Sequence, residues 1–196
     1  MYGLPESTVV NGIIPKKNIV YKFGLIGKDK TRFESSIHRI TISHEISART
    51  VNLIAGDISG FFILRVELYN ELYDKGLVTS LFEFIPQNMV IVLECGPRCR
   101  PVVFQEVFVE GQWSLRDDFS LRIEGINLDH VWQNMIVQVG NIIIDEGNDL
   151  QTQIRVDDEW KRREAEIAKL EKKLALEKQP RKKKEIFDRI RELKSL

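Results

Sequence analysis

The sequence predicts an α+β protein. A mixed β-sheet body with packed helices spans residues 1–149, and a C-terminal antiparallel helical hairpin spans residues 150–196. Three observations carry this. Strand-like apolar runs alternate with helix-period segments through the first three quarters of the chain. From Leu150 onward there is no glycine and a single proline, Pro180. Charge changes sign at the same place: residues 1–150 hold 14 basic and 19 acidic side chains, residues 151–196 hold 15 and 10. An acidic body thus carries a basic tail, which points to a polyanion or an acidic protein as the tail's partner.

In chain order, a short helix is expected near Ser7, then a turn at Ile14-Pro15-Lys16-Lys17 and a strand around Ile19–Leu25. A small helix follows over Lys30–Ile37. Arg39–Ile46 alternates apolar and polar residues, the period of a half-buried strand, and Val51–Ile54 and Phe61–Leu68 supply two further β-rich runs around the Gly56–Gly60 turn. Tyr73–Ile85 carries Leu77, Leu81, Phe84 and Ile85 at helical spacing and halts before Pro86. Met89–Glu94 is an uninterrupted apolar run of the kind that fills a central strand. Pro101–Val109 pairs with it across the turn-rich Cys-Gly-Pro-Arg-Cys, and Leu121–Glu124 is a further strand candidate. Asn127–Val139 is the clearest helix of the body. Leu128, Val131, Trp132, Met135, Ile136 and Val139 form one apolar face, Asn127 is placed to cap the start and Gly140 to end it.

In the tail, Ile154, Trp160, Ile167, Leu170 and Leu174 trace a thin heptad-like stripe on a helix of about Leu150 to Lys178. Pro180 suits the first position of a second helix, to about Leu193, with Ile186, Phe187, Ile190 and Leu193 on one side. Ile167, Leu170, Leu174, Ile186, Phe187 and Ile190 are therefore the expected hairpin seam and partner-contact stripe. Arg181, Lys182, Lys183 and Lys184 fall at the bend, where a cluster of cations suits a nucleic-acid backbone. Neither this cluster nor Lys16-Lys17 shows an aromatic platform beside it in the sequence, so base reading is not expected.

Signatures of catalysis are sparse. His38, His44 and His130 do not follow a zinc spacing, and Cys95-x-x-x-Cys99 is half a metal site without a second pair, so no metal or cofactor is expected. No phosphate-cradling glycine loop occurs, and no nucleophile elbow surrounds Ser43 or Ser47 near His44. A restriction-type nuclease needs a carboxylate followed by Glu-x-Lys or Asp-x-Lys. Asp57, Glu67 and Glu94 supply carboxylates, but Leu-Tyr follows Glu67 and Cys-Gly follows Glu94, so the lysine is missing each time. The start, MYGLPESTVV, lacks a secretory pattern, the longest apolar runs are strand-sized, and two cysteines make no disulfide framework, so a cytoplasmic protein is expected.

Several stretches together resemble one family. They are Tyr2-Gly3-Leu4-Pro5-Glu6-Ser7-Thr8 with Ile14-Pro15-Lys16-Lys17, Ile85-Pro86-Gln87-Asn88 before Val90–Glu94, Gly125-Ile126-Asn127-Leu128-Asp129 before Trp132-Gln133-Asn134, and Glu146-Gly147-Asn148 with Glu177-Lys178-Gln179-Pro180-Arg181. With them the chain resembles, over essentially its whole length, a bacterial domain of unknown function, DUF4391. The resemblance implies genes lying beside helicases and DNA methyltransferases in restriction or phage-defence clusters, and it brings no catalytic residues. The combined expectation is a non-enzymatic accessory or adaptor subunit of a DNA-directed defence complex, docking to a helicase or methyltransferase partner through body and hairpin. DNA contact and self-association are the other partnerships in view. The alternative is a metal-dependent nuclease subunit with an atypical site built from Asp57, Glu67 and Glu94.

Overall fold

The computed structural model describes residues 2–195 and divides into two compact units, Met1–Ile143 and Ile144–Leu196. In the first unit, seven strands form one sheet: β1 (Val9–Ile14), β2 (Ile37–Ser47), β3 (Gly60–Leu68), β4 (Met89–Cys95), β5 (Arg98–Gln105), β6 (Val107–Glu110) and the short β7 (Ser114–Leu115). Spatial order follows chain order from β1 to β6, with β7 pairing β5. Every neighbouring pair is antiparallel except β3 and β4. Between those two the chain crosses over through helix α4 (Lys75–Phe84), the connection a parallel pair needs.

One face of the sheet is packed by helices. Ile37 and Ile40 of β2, Leu64, Val66 and Leu68 of β3, and Met89, Ile91 and Leu93 of β4 meet Ile19 of α1 (Lys16–Lys22), Phe33 of α2 (Gly27–Ser36), and Val78 and Leu81 of α4. Helix α5 (Leu128–Gly140) buries its six apolar residues, and the Trp132 ring lies 5.0 Å from Phe61, whose side chain points to the opposite face from Phe62 and Leu64. Covered on both sides, β4 is buried from Met89 through Glu94, which accounts for its continuous apolar run.

Local chemistry fixes the ends. Asn127 accepts from the His130 amide at 2.9 Å to open α5, and Asp74 accepts from Gly76 and Leu77 to open α4. Before Pro86, Ile85 is already extended. Gly140 is the last residue of α5 rather than its terminator, and Asn141 takes the left-handed conformation at φ +48°.

The structure corrects four strand expectations. Ile19–Leu25 is not a strand: Pro15 pre-sets the backbone for helix entry, Ile19 is the buried residue of α1, and the Phe23 amide closes back on the Ile19 carbonyl. Val51–Ile54 is not a strand either. Ser47 and Thr50 form a capping box that starts a single turn, α3 (Ala48–Val51), and Asn52 ends it at φ +53°. Leu121–Glu124 pairs with no strand, because its backbone bonds go elsewhere: the Leu121 amide to the Tyr2 carbonyl, and both sides of Arg122 to the Gln138 amide group. Pro101–Val109 is two strands, broken where Glu106 turns at φ +58°.

The second unit is the antiparallel pair α6 (Leu150–Leu176) and α7 (Pro180–Ser195). Asp149 caps α6 by accepting from the Thr152 amide at 2.7 Å. Buried Gln153 accepts from the Asp145 amide and Asn148 Nδ2 and donates to Asp157 Oδ1, tying the preceding turn to the helix. No described helix is long and apolar enough to cross a membrane.

Candidate functional site

Glu67 and Glu94 are direct register partners on the parallel strands β3 and β4, near the carboxyl ends of both. In-register parallel neighbours lie on one face about 4.8 Å apart. Two bare carboxylates at that spacing would repel, and each is instead held by a donor and a cation. Tyr2 donates its hydroxyl to Glu94 Oε1 at 2.6 Å, and Arg116 Nη1 stands 3.6 Å from Glu94 Oε2. His38 Nδ1 lies 3.1 Å from Glu67 Oε2, and Arg65 Nε 3.5 Å from Glu67 Oε1. Burial, and then the bond to Glu94, push the Tyr2 hydroxyl far above the usual phenol range, so it stays a donor.

Around these groups opens a pocket of about 330 Å³, lined by His38, Arg65, Glu67, Tyr69, Glu94 and Arg116. Its walls come from distant parts of the chain. Arg116 follows β7 and is fixed by its own amide, which donates to the Pro97 carbonyl. Tyr2, which holds Glu94 without lining the pocket, is pinned through the Leu121 amide and the edge of Phe119, its ring 5.6 Å away. The next residue, Gly3, sits at φ +69°, where a Cβ would come within 3.1 Å of Ser120. Glu94 is 5% exposed, so the pocket shows its Glu67, His38 and arginine side more than Glu94 itself.

Behind the pocket lies His44, ring centroid 6.2 Å from that of Tyr2. Thr8 Oγ1 donates to the Pro5 carbonyl at 2.6 Å, so at 2.9 Å it accepts from His44 Nδ1–H. That leaves Nε2 buried without a hydrogen-bond partner, and burial lowers the ring's pKa to about 4.

The remaining sequence candidates separate. Asp57 precedes β3 while Glu67 lies near its far end, which at about 3.3 Å per residue is more than ~20 Å away. Asp57 and Ile58 amides cap onto Asp129 instead. Asp57, Glu67 and Glu94 therefore do not converge. Cys99 is the register partner of Glu94, and Cys95 that of Arg98, so the two thiols point to opposite faces and cannot grip one ion. Among the described residues no group of three or more His, Cys, Asp or Glu is placed to hold a metal. Ser43 donates to the Ile63 carbonyl and Ser47 opens α3, so neither faces His44 as a nucleophile.

On the hairpin, Ile167, Ile186, Ile190 and Leu193 are buried together, with Leu170 and Leu174 packed against them. Phe187 stands outside the seam, 56% exposed. Arg181, Lys182, Lys183 and Lys184 occupy the first turn of α7; Arg181 pairs with Glu185 at 3.3 Å, and Lys182, Lys183 and Lys184 have no ion-pair partner among the described residues. At the bend, Glu177 accepts the Gln179 and Lys178 amides, which holds its carboxyl below the usual range.

The family model for the domain of unknown function DUF4391 matches residues 2–196. This chain belongs to the DUF4391 family. No curated protein and no solved structure matches it. The DUF4391 match runs through sheet and hairpin alike, so both units are parts of one family domain. Within this DUF4391 chain, sequence reasoning placed Glu67 and Glu94 but missed Tyr2, His38, Arg65 and Arg116 as their companions. A partial signal existed for one strand: Arg65 and Glu67, two residues apart and so on one face, are the charged residues of the otherwise apolar β3.

Proposed function

We propose that this DUF4391 protein is a cytoplasmic, non-enzymatic accessory subunit of a DNA-directed restriction or anti-phage complex, and that its helical hairpin docks on a larger helicase- or methyltransferase-type partner. The observation that carries the reading is the mismatch between the two arms. Helix α6 has 27 residues and α7 has 16, and the seam occupies only Ile167 to Leu174 of the longer arm. Amino-terminal to it, Val156 and Trp160 lie one turn apart, 45% and 58% exposed. An exposed tryptophan beside an aliphatic residue is the composition of an interface anchor. The bend adds charge: four basic residues in the first turn of α7 oppose the helix dipole, which favours anions there. A polyanion, or an acidic partner surface, relieves that conflict.

The test is co-expression with candidate partners of the helicase and DNA-methyltransferase type. The protein should co-purify with one of them, and Val156→Ser with Trp160→Ala should lose it while keeping wild-type helicity. Retention by the double variant rejects the hairpin's role.

A second reading rests on the in-register Glu67–Glu94 pair at the mouth of a polar pocket. It makes the chain a metal-dependent nuclease subunit. Arg65 and Arg116 already lie against the two carboxylates, which favours the first reading. Plasmid cleavage with magnesium or manganese, abolished by Glu67→Gln, would reverse the order.

A further inference from the structure

We infer that helices α1 and α2 form a second face of the protein that binds single-stranded nucleic acid, with Tyr21 as the stacking platform and Lys17 and Lys30 as the phosphate contacts. This face belongs to the first unit, and the inference does not depend on the docking role proposed above.

Because residues 16–22 are helical, Lys17 and Tyr21 stand four positions apart on one face. In a strand they would share a face too, but about 13 Å apart rather than one helical turn. The two helices and their turn enclose a cleft of about 460 Å³ whose floor is Val20 and Leu25. On its rim Tyr21 is 88% exposed and Ile26 80%. An aromatic and an aliphatic side chain so fully presented to water cost solvation free energy unless something covers them.

Charge identifies what covers them. Residues 16–36 hold six cations, Lys16, Lys17, Lys22, Lys28, Lys30 and Arg32, against Asp29 and Glu34, within a body that is otherwise acidic. Three of the six are committed. Lys16 donates to the Glu34 and Ile37 carbonyls, Lys22 to the Phe84 carbonyl, and Arg32 pairs with Asp74. Lys17, Lys28 and Lys30 have no ion-pair partner among the described residues, and Lys17 and Lys30 line the cleft with Tyr21. Glu34 is the one carboxylate on the rim. Unpaired lysines flanking an exposed ring suit a chain of phosphates carrying splayed bases, because every base has a face that stacks and the lysines track the backbone. A duplex keeps its bases stacked on each other and cannot use the ring. A membrane would call for a longer amphipathic element than the seven residues of α1.

The experiment is fluorescence anisotropy of a labelled oligothymidine with full-length protein in which Arg181, Lys182, Lys183 and Lys184 are all changed to alanine, so that the hairpin bend contributes nothing. Binding should persist in that background and exceed binding to a duplex of equal length. Tyr21→Ala should weaken it roughly five- to hundredfold and Tyr21→Phe should restore it. Lys17→Ala and Lys30→Ala should each reduce the slope of log affinity against log salt by about 0.7. All three positions are exposed, so the variants fold as the parent does. Loss of oligothymidine binding in the parent background, or its indifference to Tyr21→Ala, overturns the inference. Phosphatidylserine vesicles or polyglutamate binding in place of oligothymidine, with the same residue dependence, overturns it in favour of a membrane or an acidic protein.

Discussion

The Tyr2 hydroxyl donates to Glu94 Oε1 at 2.6 Å across 92 residues of chain, and that bond ties Tyr2 to the buried strand β4. Glu94 is almost fully buried, and the Arg116 guanidinium stands 3.6 Å from its other oxygen. Removing the hydroxyl leaves one carboxylate oxygen without its donor in a low-dielectric setting. Tyr2→Phe should therefore cost about 1–3 kcal/mol of stability, read as a lowered urea midpoint at unchanged slope.

His44 sets a pH dependence. Burial holds its folded pKa near 4, below the free value of 6.5. Between those values the unfolded chain binds a proton that the folded chain does not, so stability rises with pH through the window. The contribution is full above about 6.5 and lost as pH falls to about 4, amounting to about 3 kcal/mol. Denaturation of wild type and His44→Leu at a series of pH values should show this increment in the wild type and not in the variant.

How far the sequence carried this fold depended on whether the signal was local. The apolar run Met89–Glu94, the six-residue face of α5 and the Asn127 cap each lie within one element, and the structure has them where the pattern indicated. The hairpin was legible for the same reason: Pro180 marks the second arm, and the charge composition marks the first. Helix α1 was not, because Ile19 and Val20 favour strands, and a helix of seven residues is decided by packing of Ile19 against the sheet rather than by propensity. The polar pocket was legible only in Glu67 and Glu94. Tyr2 and Arg116 reach Glu94 from 92 and 22 residues away, a relation no window of sequence displays.

The hairpin seam separates two kinds of residue that shared one stripe in the sequence. Ile186 and Ile190 are buried against α6, so alanine at either should cost about 2–3 kcal/mol and free α7 to proteolysis ahead of the body. Phe187 is outside the seam, and Phe187→Ala should leave the proteolysis rate of α7 unchanged. Limited digestion followed by mass spectrometry distinguishes the two results.

Core packing beneath α5 gives a reference value for the body. Trp132 is buried against Phe61, and Trp132→Ala should cost about 3–5 kcal/mol, measured as a shift in the thermal or urea transition.

The docking role of the hairpin is tested most directly by the affinity of the purified chain for the proposed helicase- or methyltransferase-type partner, measured by titration calorimetry for wild type and Trp160→Ala. An anchor tryptophan contributes at least about 2 kcal/mol, so the variant should bind roughly thirtyfold more weakly. Equal affinities for the two proteins would contradict the proposal.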